Sequence, residues 1–194
     1  NNNMKKFSLA LVLMVPMVLS SCSAPKEKSE AEIITEQISA IDSLLTSNAP
    51  VTTNSYRLGE VGSYDKVIMS AQDIIYKDDS YKFISLYGNE RNVGGYGYNE
   101  GMAIVLPQEV NELCANIDSI KSNVNKEIDH TQTISYTTKG GLTVSASNLY
   151  ENHTPWEITV KLHYDGRANI IIKEYDLGQL EKYLKEGKAK LNSL

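Results

Sequence analysis

The same succession of an apolar strand and an amphipathic helix occurs twice along this chain, and this repeat constrains the fold more than any other feature. The apolar runs are Ala103–Leu106 and Asn169–Ile172. The helical positions that follow are Val110, Leu113 and Ile117 in the first copy and Leu177, Leu180 and Leu184 in the second, at the same spacing to within one residue. Two tandem units, each an antiparallel meander ending in a helix, would place both helices on one apolar face of a single curved sheet. Chance similarity between two strand-helix patterns is the alternative.

Between Tyr64 and the C-terminus, about seven segments have strand patterns. They are Val67–Tyr76, Tyr81–Tyr87, Gly101–Leu106, Thr131–Thr138, Leu142–Tyr150, Glu157–Tyr164 and Ala168–Glu174. Apolar positions at helical spacing predict one helix from Pro107 to about Ile128 and a final helix carrying Leu177 to Leu191. The predicted fold class is therefore α+β, an antiparallel sheet of about seven strands with two long helices packed on one face and an extra N-terminal helix.

Turn residues predict a first hairpin around the loop at 139–141. A three-residue loop pairs Ile134 with Ala146, Tyr136 with Val144 and Thr138 with Leu142. This register places every larger side chain of the hairpin on one face.

Asp165-Gly166 predicts a second hairpin, in which a two-residue loop sets Val160 opposite Ile171. The other apolar residues of that strand, Ile170 and Ile172, then lie beside polar neighbours. Either the strand is covered on both faces or a bulge shifts it.

The N-terminal segment has the three regions of an export signal. Lys5 and Lys6 are followed by about a dozen apolar residues and then by small residues before Cys22. The apolar stretch is too short for a membrane span, which takes roughly 20 residues of helix. Asn1–Asn3 precede Met4, the expected initiator, and fit none of these regions.

Leu19-Ser20-Ser21-Cys22 resembles the lipobox of bacterial lipoproteins, and the Asn-, Lys- and Tyr-rich composition resembles that of lipoproteins from gut Bacteroides-type bacteria. The resemblance implies that Cys22 is acylated and that residues 1–21 are removed as a signal peptide. It also implies a protein of the outer membrane, attached through its N-terminal lipid. Surface display and display on the periplasmic side both stay open. An ordinary secreted protein with an incidental cysteine is the alternative, and no motif in the mature chain indicates a family.

The remaining chain divides into three parts. Residues 22–31 are a polar, lipidated tether, residues 32–63 an amphipathic helix and a linker or irregular edge, and residues 64–194 a single α+β domain. The apolar stripe of the N-terminal helix consists of Ile34, Ile38, Ile41 and Leu45. This helix either docks on the domain's own core or forms a short coiled-coil stalk. The oligomeric state is left open.

Charge and cysteine content exclude several classes of function. The full sequence has 19 Lys and Arg against 24 Asp and Glu, so its net charge of −5 predicts no nucleic-acid partner. Cys114 is the only cysteine besides Cys22, which excludes a disulfide framework and predicts a buried, unreactive thiol. The three histidines have no metal-ligand spacing, so neither a metal nor a cofactor is predicted.

Candidate binding residues are few. Tyr96, Tyr98 and Asn99 lie in a glycine-rich loop and are predicted to contact a sugar or a protein, with a plain flexible loop as the alternative. Trp156, the only tryptophan, either stacks on a ligand or packs in the core. Ser43 lies in the Asp-Ser-Leu pattern that Bacteroides-type bacteria use for O-glycosylation.

These features favour a non-enzymatic binding or accessory module of the cell envelope, with a glycan or an envelope protein as its partner. No residue is predicted to be catalytic, because no serine or cysteine stands in a nucleophile context. A small envelope hydrolase is one alternative, and it would need His153 or His163 in a deep pocket. A structural subunit that binds protein through the N-terminal helix is the other.

Overall fold

A computed structural model describes residues 28–91, 97–124, 126, 128, 130–148 and 156–194. The predicted residues Cys22, Tyr96 and His153 lie outside the described residues. The described part contains three helices and nine strands, which form two antiparallel sheets. The α+β class is confirmed.

The helices are α1 (Glu30–Thr46), α2 (Val110–Asn123) and α3 (Glu174–Asn192). The first sheet contains, in spatial order, β1 (Thr52–Val61), β2 (Lys66–Tyr76), β3 (Asp79–Arg91), β4 (Tyr98–Val105) and β8 (Asp165–Gly166). The second sheet contains β5 (Gln132–Thr137), β6 (Leu142–Asn148), β7 (Glu157–Leu162) and β9 (Ala168–Ile172), again in spatial order.

The prediction of one sheet with about seven strands was wrong, since the described strands number nine and form two sheets. The sheets meet where β4 ends its pairing with β8. Gly101 of β4 lies so close to the second sheet that a Cβ atom there would be 2.5 Å from the backbone nitrogen of Ala168. Because glycine has no side chain, the turn before β9 passes directly against β4, while β9 itself pairs with β7 in the second sheet.

One of the two additional strands is β1. Its residues 52–61 were predicted as a linker or irregular edge because of their Thr, Asn, Ser and Gly content. Tyr56, Leu58 and Val61 nevertheless contribute to the main core, and a register shift between Arg57 and Gly59 adjusts the strand to it.

The two inner helices are not both long. α2 has 14 residues and ends at Asn123, short of the predicted Ile128, whereas α3 has 19. The side-chain amide of Asn123 donates a hydrogen bond to the carbonyl oxygen of Ser119, with 2.7 Å between Nδ2 and the oxygen. Beyond Ile120 the helix has no further fully buried side chain, so burial does not favour its continuation.

Each inner helix packs on the sheet of the other half of the chain. The chain order is the predicted one, a meander β1 to β4 followed by α2 and a second meander followed by α3. However, α3 lies on β1, β2 and β3, while α2 lies on β5 and β6. Leu113 and Leu180, the predicted core positions of these helices, are fully buried. Because the helices are exchanged, the two halves share one main core.

The N-terminal helix α1 covers the opposite, outward face of the first sheet. Ile41 of α1 is buried with Ile74, Phe83, Ile104 and Leu106 in a second, smaller core. Tyr164 donates its hydroxyl to a carboxylate oxygen of Asp42 at 3.1 Å; burial and this bond raise the pKa of Tyr164. Of the two alternatives for this helix, docking on the domain's own core is the one observed.

The predicted hairpin registers differ in their outcome. In the first hairpin, Ile134 pairs with Ala146 and Tyr136 with Val144, as predicted. In the second, Val160 pairs with Ile170 instead of Ile171. Asp165 and Gly166 pair with β4, so the loop between β7 and β9 is longer than two residues. This longer loop turns Ala168, Ile170 and Ile172 of β9 toward the core.

Candidate functional site

The residues predicted to bind a ligand are not gathered in one place. Tyr98, 60% exposed, begins β4 with the exposed Asn99. Trp156 precedes β7 and packs against the main core, where its indole nitrogen is buried with no hydrogen-bond partner among the described residues. The described structure therefore does not combine Tyr98 and Trp156 in one exposed aromatic surface.

Ser43 lies on the solvent side of α1. It is exposed, and its hydroxyl donates to the carbonyl oxygen of Ser39 at 2.9 Å. Its position leaves the side chain accessible on the covering helix. Glycosylation there remains a prediction.

A different surface stands out in the second sheet. Strand alternation turns Ile134, Val144 and Val160 toward the core and the residues between them outward. We call the outward residues of this sheet the hydroxyl face. They are Thr133, Ser135 and Thr137 on β5, Thr143, Ser145 and Ser147 on β6, Glu157, Thr159 and Lys161 on β7, and Asn169 and Ile171 on β9. Seven of these eleven side chains are Ser or Thr.

The hydroxyl face is ordered in rows across the strands. One row consists of Thr137, Thr143, Lys161 and Asn169, and the next of Ser135, Ser145, Thr159 and Ile171. Adjacent strands lie about 4.8 Å apart, and successive rows about 7 Å apart. Within the first row, the hydroxyls of Thr137 and Thr143 are hydrogen-bonded at 2.8 Å. Rigid strands thus hold an array of short polar groups at regular spacing.

No described helix covers the hydroxyl face. α2 and α3 lie on the inner faces of the two sheets, and α1 packs on the outward face of the first sheet. Ile171, at the β9 edge of the face, is 58% exposed. Most of the face is therefore exposed or partly exposed in the described part of the chain, whereas Thr159 at its centre is buried.

A cleft with basic side chains lies at the edge of the hydroxyl face nearest the first sheet. It has a volume of about 480 Å³ and is lined by Thr143, Lys161, Leu162, His163, Arg167 and Asn169. Neither Lys161 nor Arg167 forms an ion pair with a described carboxylate. The lining contains no serine, cysteine or carboxylate side chain, and Thr143 supplies its one hydroxyl group.

Backbone contacts with the first sheet hold the walls of this cleft. The amide of Arg167 donates to the carbonyl oxygen of Glu100 at 2.9 Å, and the amide of Asn169 donates to the Glu90 carboxylate at 2.9 Å. Gly166, with φ of +70°, makes the turn that precedes Arg167. Asn99 pairs with Glu90, so this one predicted residue lies at the junction that supports the cleft.

The sequence contained a signal for the hydroxyl face that the search for motifs missed. The correctly predicted register of the β5–β6 hairpin placed its large side chains on one face, which left only Ser and Thr for the other. Attention to the polar face of that hairpin would have found the surface. The basic cleft could not be found in this way, because its residues come together only through the longer loop before β9.

Among the described residues, no group of three or more His, Cys, Asp or Glu side chains is placed to hold a metal ion. None of the described helices combines the length and hydropathy needed to cross a membrane. Comparisons with protein-family models, with curated proteins and with solved structures give no match. The candidate site therefore rests on the geometry alone.

Proposed function

We propose that this chain is a non-enzymatic binding module of the bacterial cell envelope, attached to the outer membrane through a lipid on Cys22, and that it binds a glycan on its hydroxyl face. The single observation that carries the proposal is the rows of seven Ser and Thr side chains on the second sheet, six of which are exposed or partly exposed. A face that needed only to be soluble could use flexible charged residues instead.

Short hydroxyl side chains on a sheet suit a carbohydrate. Each hydroxyl both donates and accepts hydrogen bonds, as does each hydroxyl of a sugar. Ser and Thr lose little conformational entropy when a ligand orders them, and the strands already fix their positions. Ile171 adds an exposed apolar contact at the edge of the same face. The open geometry supports binding along a polymer rather than enclosure of a small molecule.

Binding is tested by removing hydroxyl groups without changing side-chain shape. The variant Ser135→Ala, Thr143→Val, Ser145→Ala removes three neighbouring hydroxyls of the face. The control Thr35→Val, Ser39→Ala, Ser43→Ala removes three exposed hydroxyls from α1. Both proteins and the parent are applied to an array of bacterial, plant and host polysaccharides.

We expect the parent to bind at least one polysaccharide, the face variant to lose about tenfold or more in affinity, and the α1 control to bind like the parent. A parent that binds no glycan, or a face variant that binds as tightly as the control, would overturn the proposal.

The membrane attachment has a separate test. Cys22→Ala should abolish labelling by a fatty acid and release the protein from the membrane fraction. Undiminished label in the variant would contradict the lipidation of Cys22.

A further inference from the structure

Resting on the proposed function, we propose that the glycan is acidic and that its carboxylate or sulfate groups bind in the basic cleft of Lys161 and Arg167. The cleft continues the first row of the hydroxyl face, so a chain bound along the face reaches it. The inference names a ligand class and a subsite within the same surface.

The placement of the side chains supports an anion subsite. Lys161 lies in the middle of its row, between Thr143 on β6 and Asn169 on β9. Directly paired residues on one face of a sheet have Cβ atoms about 5 Å apart. Lys161 thus lies between a residue with a hydroxyl group and one with a side-chain amide, both of which can donate hydrogen bonds to an oxyanion. His163 and Arg167 extend the cleft at the turn between β7 and β9.

The cleft brings two cationic side chains together in a chain that is acidic overall. Some basic side chains elsewhere are paired, such as Lys66 with Glu60, whereas others, such as Lys82, form no ion pair with a described carboxylate. Lys161 and Arg167 have no such partner among the described carboxylates. The carboxylate of Glu90 accepts a hydrogen bond from the backbone amide of Asn169. A bound anion would supply the counter-charge that the described chain does not provide.

The residue types indicate how the anion is held. The guanidinium group of Arg167 matches the two oxygens of a carboxylate or sulfate with paired hydrogen bonds, whereas the ammonium of Lys161 acts as a point charge. Both side chains are exposed, so their attraction is screened by salt. We therefore expect a charge preference that is modest at high ionic strength and marked at low ionic strength.

The test compares polymers that differ only in their acidic groups. Polygalacturonate is paired with its methyl-esterified form, and chondroitin sulfate with chondroitin that has been desulfated and methyl-esterified, so that the second member of each pair is neutral. The parent, Lys161→Ala/Arg167→Ala and the control Arg57→Ala/Lys66→Ala are measured with each polymer. The control removes the same charge from the outward face of the first sheet.

We expect the parent to bind at least one acidic form about tenfold more tightly than its neutral form at low salt, and the preference to shrink as salt is raised. The cleft variant should lose the preference, measured as the ratio of its affinities for the acidic and neutral forms, whatever its affinity for the neutral form. The control should keep the preference.

Two results would overturn the inference while leaving glycan binding intact: equal binding of acidic and neutral forms by the parent, or an undiminished preference in the cleft variant. Absence of binding to all polymers, on the array and here, would overturn the proposed function as well.

Discussion

The two sheets present opposite solutions to the problem of an outward face. Part of the outward face of the first sheet carries Ile74, Phe83 and Ile104, and α1 covers that part. The outward face of the second sheet carries Ser and Thr, and no described element covers it. Both sheets bury their inner faces in the same main core. The comparison teaches that the outward residues decide whether a face contributes to stability or is free for contact with a ligand.

The difference has an energetic basis. Burial of apolar side chains contributes roughly 25 cal/mol for each Å² removed from water, so an apolar outward face favours a covering helix. Covering a hydroxyl-rich face would require a new partner for each buried hydroxyl. The sequence of the second sheet therefore keeps its outward face exposed without loss of stability.

The largest effect should come from the core that both sheets share. Leu113→Ala and Leu180→Ala each empty a fully buried site and should destabilise the domain by roughly 2 to 5 kcal/mol. Chemical unfolding of the two variants measures the loss. Changes below about 0.5 kcal/mol at both positions would contradict the assignment of the helix faces.

An intermediate effect is expected on the covered outward face. Ile41→Ala removes the one fully buried side chain of α1 and should destabilise the protein by about 2 kcal/mol, the lower end for such a change, because the other contacts of α1 are only partly buried. Hydrogen exchange on α1 should rise with it. A variant as stable as the parent would show that α1 does not depend on this core.

The stability of the protein at high pH should depend on Tyr136 of β5. Burial raises the pKa of Tyr136 to about 12, and a hydrogen bond with Glu112 acts in the same direction. The folded protein thus holds the phenol proton more tightly than the unfolded chain, whose pKa is about 10. The stability from this group is complete below about pH 10 and is lost as the pH rises toward 12. The free energy of unfolding of the parent should fall relative to that of Tyr136→Phe over that range, and parallel curves would contradict the raised pKa of this side chain.

The smallest effect is expected on the open outward face. The triple change Ser135→Ala, Thr143→Val, Ser145→Ala should alter the free energy of unfolding by less than about 0.5 kcal/mol, because partly exposed hydroxyls exchange one bonding partner for water. Thermal unfolding beside Ile41→Ala provides the comparison. A loss comparable to that of Ile41→Ala would mean that the hydroxyls support the fold.

Local patterns predicted the elements that depend on neighbours in sequence. The helix faces at Leu113 and Leu180 and the register of the β5–β6 hairpin follow from periodicity and loop length, and all three are confirmed. The strand β1 was missed because its polar composition hides three residues that reach the core. The exchange of α2 and α3 between the sheets depends on contacts between distant parts of the chain, which no local pattern encodes.

The candidate site likewise combines residues that local patterns predict with residues that only distant contacts bring together. Tyr98 and Trp156 were predicted to bind a ligand because they are aromatic. Tyr98 is exposed and Trp156 packs against the core, and this difference depends on the fold. The basic cleft depends on the pairing of the loop at 163–167 with β4. The sequence had predicted a two-residue turn at this place. Residues of the hydroxyl face could be predicted, whereas its junction with the cleft could not.

The most direct test of the central claim is a map of the bound surface by NMR. Amide chemical shifts of the isotope-labelled domain are followed as it is titrated with an oligosaccharide of the polymer that binds best on the array. The account predicts shifts in the outward residues of β5, β6, β7 and β9, centred on Ser145 and Lys161, with α1 and Tyr98 unchanged. Shifts confined to α1 or to the beginning of β4, with the second sheet unchanged, would contradict it.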